Sequence, residues 1–302
     1  MMWDTLMTSL RKRSRNAVIR WSTNSEVTML LGERRYRRAR LYLNGITRDP
    51  NYEPWLNGAF RAALAARTGS FIDVGANRGQ TLMKLLTIDS NRQYVGFEPQ
   101  IDCCFFIQQF IQQNHLSNHF VLPIGLSDLN GCPQLLKHSN ASDPTASIVP
   151  GFRPDEFYSS KDYIYVALGD DIVEKIGLSD VAVIKIDVEG GELEVVRGLG
   201  RTIKRFSPFV FFEVLNHFLV ATGKPLDAKT VAFREQRSSD LEKLLRDAGY
   251  TIFNCLPNDR LCEVEAIRPV VSSDLSITDY VAVHQSSRAE FLRNYEGSVG
   301  RG

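Results

Sequence analysis

Nothing in these 302 residues is patterned for a membrane or an oxidising compartment. No apolar run approaches the roughly 20 residues that cross a bilayer. The opening stretch MMWDTLMTSLRKRSR lacks the apolar core of a secretory leader. Cysteine is scarce: Cys103, Cys104, Cys132, Cys255 and Cys262 make an odd set without a C-x-x-C pair. That argues against a disulfide framework and a structural zinc site, and fits a reducing compartment. Neither sign of charge dominates, the net charge being +1, so the molecule as a whole is no polyanion binder and no nucleic-acid partner is predicted. Internal repeats and low-complexity tracts are also missing. A cytoplasmic globular protein is the expectation.

What is present is unevenly spread. Residues 11–40 hold ten Lys and Arg against two Glu, with Arg34, Arg35, Arg37, Arg38 and Arg40 clustered. Such density suits a solvated face, and also contact with an acidic partner. Residues 1–67 are set apart as a basic, mainly helical N-terminal extension. Residues 68–287 form the main domain, in which short apolar strands alternate with helical stretches. Phe71–Val74, Tyr94–Phe97, Phe120–Ile124, Val181–Ile186 and Phe209–Phe212 read as strands. Val181–Ile186, apolar except for Lys185, suits a parallel strand buried on both faces. Leu82, Leu85 and Leu86 mark one helix; Leu193, Val196, Leu199 and Ile203 mark another. Ser239 and Glu242 have capping-box spacing at the start of a helix that ends at Gly249. Tyr250–Cys255 and Asp279–His284, with no convincing helix between them, are expected as antiparallel neighbours. The fold class is α/β, a mostly parallel, doubly wound, Rossmann-like sheet ending in an antiparallel strand pair. Residues 130–165, rich in Gly, Pro, Ser and Asp, read as an insertion or substrate loop, and 288–302 as a polar tail.

The chemistry concentrates at strand ends. In FIDVGANRGQ, Asp73 closes a strand, Gly75 can take positive φ, and Gly79 opens a helix whose amides favour an anionic group. Asn77 breaks the dinucleotide fingerprint at its middle glycine. Glu98, ending the next strand, is placed to accept ribose hydroxyls. NAD enzymes use the same device, so Glu98 points to an adenosine cofactor more than to one reaction. Ser127 and Asp128, in GLSD, lie where adenine would sit, although an ordinary turn reads the same way. Asp187 and Glu189, in IKIDVEGGE, are candidates for positioning a reactant or serving as general base, or for strand-end salt links with Lys185. Glu213 and His217 fall on the same sheet edge. Three acids there also form a donor set that suits Mg²⁺, but no metal is predicted.

Taken together, FIDVGANRGQT, YVGFEPQ, LPIGLSDLNG, VIKIDVEGGELEVVRGL and FVFFEV, in that order, resemble the FkbM family of S-adenosylmethionine-dependent methyltransferases. The resemblance covers roughly residues 68–255. It implies a class I methyltransferase fold, S-adenosyl-L-methionine as cofactor, and methyl transfer to a hydroxyl of a small molecule, sugar or glycan. Position by position it implies cofactor contacts from Asp73, Gly75, Asn77, Gly79 and Glu98, and it puts Asp187, Glu189, Gly190 and Glu192 on the family's second signature. With the reading of the strand ends, the candidate cofactor set is Asp73, Gly75, Ala76, Asn77, Gly79, Gln80, Glu98, Ser127 and Asp128, and the candidate catalytic set Asp187, Glu189, Glu213 and His217. One departure stands out. A family stretch like T-L-D-D reads Ala167-Leu168-Gly169-Asp170-Asp171 here, so a glycine replaces the first acid and the acceptor is expected to differ if that acid touches it. Two rival readings are an NAD-type oxidoreductase, disfavoured by Asn77 and the terminal strand pair, and a non-catalytic binding protein, disfavoured by the retained acids.

Overall fold

Apolar runs such as Phe209–Phe212 send alternate side chains to opposite sides of a strand, so a sheet built from them needs cover on both faces. The computed structural model describes residues 19–21, 27–31, 34–38, 52–139, 142–219 and 222–299. Its first strands are Ile19–Trp21 (β1), Val27–Leu31 (β2) and Arg34–Arg38 (β3), followed by helix Leu56–Ala66 (α1). Then come Ser70–Val74 (β4), Gln80–Ile88 (α2), Tyr94–Phe97 (β5), Ile101–Gln113 (α3), His119–Leu122 (β6) and Gly125–Ser127 (β7). Gln134–Lys137 (β8), Ser160–Tyr163 (β9), Val166–Leu168 (β10), Gly169–Ile176 (α4) and Val181–Ile186 (β11) lead to Glu192–Gly198 (α5) and Gly200–Phe206 (α6). The chain continues through Phe209–Glu213 (β12), a small hairpin of Phe218–Leu219 (β13) and Lys224–Pro225 (β14), Ala228–Asp247 (α7) and Tyr250–Leu256 (β15). Arg260–Glu263 (β16), Asp279–His284 (β17) and Arg288–Val299 (α8) complete it.

The main sheet has the order β16-β15-β17-β12-β11-β4-β5-β6. Strands β12, β11, β4, β5 and β6 are parallel, and β17 runs antiparallel between β12 and β15. This is the expected Rossmann-like sheet with its antiparallel pair. Phe71, Phe209 and Phe211 pack on one face with α1, α2, α3 and α8, while Ile72, Val210 and Phe212 pack on the other with α4 to α7. Among the described residues no helix is long and apolar enough to cross a membrane.

Several local expectations need correction. The described part of residues 19–38 is a three-stranded antiparallel sheet rather than helix. Arginine favours neither state strongly, and pairing with the β-branched and apolar residues of β2 decides. Arg40 and the rest of the extension before residue 52 lie outside the described residues. Ser239 and Glu242 sit inside α7, which starts eleven residues earlier than Ser239 at Ala228. Asp227 is its cap, accepting hydrogen bonds from the amides of Lys229 and Thr230 at 2.9 and 3.0 Å. After Val231, Ala232 and Phe233 that helix carries only polar and charged residues from Arg234 to Asp240, so apolar periodicity resumes only at Leu241. The helix read through Leu193 to Ile203 is two, α5 and α6, meeting at Leu199. Residues 130–165 contain β8, β9 and a 3₁₀ turn at Asp155–Phe157 rather than bare loop. Residues 288–299 form a helix instead of a tail, because Phe291 is fully buried.

Two contacts secure the flanks of the sheet. The Phe291 ring lies 5.2 Å from Phe209 and 6.3 Å from Phe253. The Trp55 indole N–H, at the start of α1, donates to Asp279 Oδ2 at 2.8 Å. Burial pushes the Asp279 carboxyl up to about 8, with Glu53 adding to it and the Trp55 hydrogen bond opposing.

Phe291→Ala should cost about 3–5 kcal/mol of stability, read as a lower midpoint in urea unfolding; a loss below about 1 kcal/mol would detach α8 from the core. Asp279 gives a pH signature. Its native value of about 8 lies above the ordinary 3.8, so the native state keeps a proton that the unfolded chain releases. Stability from this group is full below pH ~4 and is lost as pH rises through ~8. Asp279→Asn should therefore gain on the wild type in urea unfolding at pH 8.5 relative to pH 5. A gap that stays constant between those pH values would mean an ionised Asp279 in the native protein.

Candidate active site

Parallel strands converge on a common carboxyl edge, where their turns meet. After β4 the chain bends at Gly75, with φ of +83°. A Cβ there would stand 1.9 Å from the Asp187 carbonyl oxygen, so only glycine fits. The amides of Gly75 and Ala76 both donate to the Phe97 carbonyl, at 2.9 and 3.0 Å. Asn77, itself at φ +46°, donates its amide to Glu98 Oε2 at 2.7 Å. The Gln100 amide donates to Glu98 Oε1 at 2.8 Å. The Glu98 carboxylate thus laces the turn after β4 to the turn after β5. Burial pushes its carboxyl up to about 7, against the pull of those two amides.

The second motif arrives on β11. The Asp187 amide donates to the Val74 carbonyl at 2.9 Å, and the Lys185 ammonium holds Asp187 Oδ2 at 2.8 Å. Glu189, at φ +56°, forms an ion pair with Arg153. Glu192 accepts from the amides of Gly190 and Val188 at 3.1 and 3.3 Å and closes the turn into α5. At the end of β12, Glu213 Oε1 accepts from the Thr278 hydroxyl at 2.9 Å. Burial drives the Glu213 carboxyl well above its usual range, with Asp187 and Glu189 adding to the effect.

These turns border one cleft of about 1230 Å³, its open mouth included. Of the residues singled out from the sequence, Gly75, Ala76, Asn77, Gln80, Glu98, Asp187, Glu189 and Glu213 line it together. Carboxylate oxygens of Asp187, Glu189 and Glu213 lie within 4.8 Å of one another, a spacing that a divalent cation accepts; each acid already has a protein donor.

Others are placed elsewhere. Asp73 is fully buried behind the cleft lining, where it accepts the Tyr94 hydroxyl at 2.7 Å. Burial pushes it up to about 6, opposed by Lys185. Gly79 is the N-cap of α2, off the lining, and a Cβ on it would lie 3.2 Å from Ile107. Ser127 and Asp128 turn away under α5: a Cβ on Gly198 would lie 2.0 Å from the Ser127 carbonyl oxygen. Here β7 leaves the main sheet to pair with β10; Gly125 and Leu126 still line the cleft, whereas Ser127 and Asp128 do not. His217 is buried off the lining, with Nε2 3.5 Å from Glu235, and burial together with Arg234 lowers its pKa. Gly169 likewise lies off the lining, its position for a Cβ filled by Leu199 at 2.7 Å.

Sequence reading did not single out four contributors: Lys84, Tyr52, Glu53 and Arg153. Lys84 lines the cleft, donates to the Glu53 carbonyl at 2.8 Å, and is pushed down to about 8 by burial. Its only signal was a lysine among the apolar positions of α2. Tyr52 and Glu53 also line the cleft, and Arg153 reaches it through Glu189. Asp143, Pro144, Ala146 and Ile148, from the segment read as an insertion or substrate loop, line it too.

Residues 73–252, more than half of the chain, match the family model of the methyltransferase FkbM domain. No curated protein matches the chain. Solved structures similar to it include methyltransferase FkbM from Methylobacillus flagellatus KT, at 17% identity and a TM-score of 0.43, covering 71% of this chain and 43% of that one. This chain therefore spans less than half of that protein. Fibrillarin from Aeropyrum pernix, in complex with natively bound S-adenosyl-L-methionine, is similar at 11% identity and a TM-score of 0.41, over 89% of this chain and 99% of that one. A caffeoyl-CoA O-methyltransferase homologue from Staphylococcus aureus is similar at 10% identity and a TM-score of 0.45, over 79% and 85%. With both motifs inside the matched stretch and meeting at Gly75 and Asp187, the chain belongs to the FkbM family of S-adenosylmethionine-dependent methyltransferases.

Proposed function

We propose that the cleft holds S-adenosylmethionine on the Gly75–Asn77 turn and Glu98, and that the enzyme methylates a hydroxyl oxygen on a small molecule or saccharide. The observation that carries this reading is the shared lining: a bare glycine turn, a strand-end acid and the Asp187–Glu189 acids border one space. The fit is physical. Backbone without a side chain at Gly75 admits close approach. A carboxylate has about four lone-pair sites, and Glu98 spends one on each of two amides, which leaves capacity for ribose hydroxyls.

The cofactor, when bound, supplies a methyl group activated by a positive sulfonium. The chain supplies orientation and a destination for the acceptor's proton. Asp187 is suited to receive that proton, because Lys185 holds Oδ2 and the residue lines the cleft. Burial, with Asp187 and Glu189 beside it, raises the Glu213 carboxyl, which suits it to donate a hydrogen bond to the acceptor rather than act as a base. The carboxylates of Asp187 and Glu189 also give a sulfonium a favourable field.

Calorimetric titration with S-adenosylmethionine tests the cofactor half. Glu98→Gln should weaken binding about 10- to 150-fold, the worth of charge-assisted hydrogen bonds; unchanged affinity removes Glu98 from the site. Labelled methyl transfer to an extract of the producing cells, followed by mass analysis, tests the acceptor half. Asp187→Asn should slow transfer about 10²- to 10⁴-fold with little effect on affinity for S-adenosylhomocysteine, which lacks the sulfonium charge. A labelled product carrying its methyl group on nitrogen or carbon would refute the hydroxyl reading.

A further inference from the structure

Glu189 is held by something other than the sheet that bears it. Its backbone adopts φ +56°, a conformation that a non-glycine residue keeps only when its surroundings enforce it. Glu192 closes that turn through the Val188 and Gly190 amides, and the Glu189 side chain is held by the segment 142–158. Arg153, 5% exposed, sends one guanidinium nitrogen to Glu189 and the other, Nη1, to the Thr145 carbonyl at 3.1 Å. Its Cζ lies 5.4 Å from the Phe152 ring and 5.2 Å from the Phe157 ring, within cation–π range. Phe152 in turn rests on Gly190, where a Cβ would come within 2.5 Å of the ring, and Arg234 of α7 covers it at 4.4 Å. The segment carrying Arg153 also supplies Asp143, Pro144, Ala146 and Ile148 to the cleft.

We propose that Arg153 is a positioning residue for methyl transfer: it fixes Glu189 against the acceptor and docks the 142–158 segment over the cleft. This rests on the reading that donor and acceptor share the cleft. The geometry requires arginine. Two nitrogens serve two acceptors while the planar group packs between rings, which a lysine ammonium cannot reproduce. Charge gives a second reason. Glu189 is faced by Asp187 from β11, Glu213 from β12 and Asp143 from its own docking segment. The cations near it are Arg153, Lys185 beside Asp187, and Arg234. Removing Arg153 leaves the acids competing for protons, and one of them binds a proton more tightly.

The test compares the wild type with Arg153→Lys, Arg153→Ala, Glu189→Gln and the Arg153→Ala/Glu189→Gln double variant. Thermal unfolding and titration with S-adenosylhomocysteine come first. Labelled methyl transfer to the acceptor marked in the cell extract is then followed across pH. The expected result is unchanged S-adenosylhomocysteine affinity in every variant, and a transfer rate about 100-fold lower in Arg153→Ala, the usual cost of a small misplacement. The acid limb of its pH profile moves to higher pH, added guanidinium ion restores part of the rate, and the double variant is no slower than Arg153→Ala. Unimpaired transfer in Arg153→Ala, or loss of folding and cofactor affinity in both Arg153 variants, overturns the proposal alone. Wild-type protein that binds no S-adenosylhomocysteine overturns the cleft reading and the proposal with it.

Discussion

At the carboxyl edge of the sheet the backbones of β4 and β11 approach so closely that residue 75 has no room for a side chain. A Cβ would fall 1.9 Å from the Asp187 carbonyl oxygen, and the next backbone contact, Asp187 amide to Val74 carbonyl, is a 2.9 Å hydrogen bond. Two motifs far apart in sequence are thereby joined into one turn-on-turn contact. The shape of the cleft depends on it. Gly75 leaves backbone without a side chain at the cleft because Asp187 backs the turn, and the amides of Gly75, Ala76 and Asn77 are spent on Phe97 and Glu98, which fixes that turn in place.

The second constraint is charge in a confined space. Glu98, Asp187, Glu189, Glu213 and Asp279 cluster around the strand ends, against Lys84, Lys185 and Arg153. Burial penalises the charged forms of Glu98, Glu189, Glu213 and Asp279, which hold protons more tightly than free carboxyls do. The pairing pattern differs among the acids. Lys185 takes Asp187, Arg153 takes Glu189, and Glu213 accepts from the Thr278 hydroxyl. The two ion-paired acids have a cation in contact, whereas at Glu213 burial and the neighbouring acids act together to raise the carboxyl. A site of this balance favours a cationic donor over an anionic one such as a dinucleotide.

Much of this was legible in the sequence, for a physical reason. Strand ends are marked by short-range signals: an apolar run, then Gly, Asp or Glu. Those signals located Gly75, Asn77, Glu98, Asp187, Glu189 and Glu213, all of which reach the cleft. The misreadings share a different cause. Asp128 and His217 also follow apolar runs, but β7 leaves the main sheet to pair with β10, and His217 sits beyond β12 beside Arg234 and Glu235. Local sequence does not record which neighbour a strand selects. Lys84 and Arg153 were missed for the converse reason: a buried cation is defined by partners distant in sequence, Glu53 for one and Glu189 for the other. The C-terminal helix looked polar because its anchoring rests on few large side chains, chiefly Phe291.

The glycine at position 169 bears on where the proposed acceptor would be selected. Gly169 opens α4 against Leu199, and its neighbour Asp170 is spent on the amides of Arg201 and Thr202, both at 2.8 Å, capping α6. That stretch serves helix packing, so the lost acid at 169 leaves the cleft lining untouched. On the proposed function, the cofactor side of the cleft is the turn and strand-end motifs. The remaining lining comes from Tyr52 and Glu53 ahead of α1, and from Leu135, Asp143, Pro144, Ala146, Ile148 and Ile164 of the inserted segment. These lie on segments outside the main sheet, so they can vary without disturbing the contact between Gly75 and Asp187. On that same proposal, acceptor choice and cofactor binding are separable, and they meet at Glu189, whose carboxylate is borne by the sheet edge and held by the inserted segment.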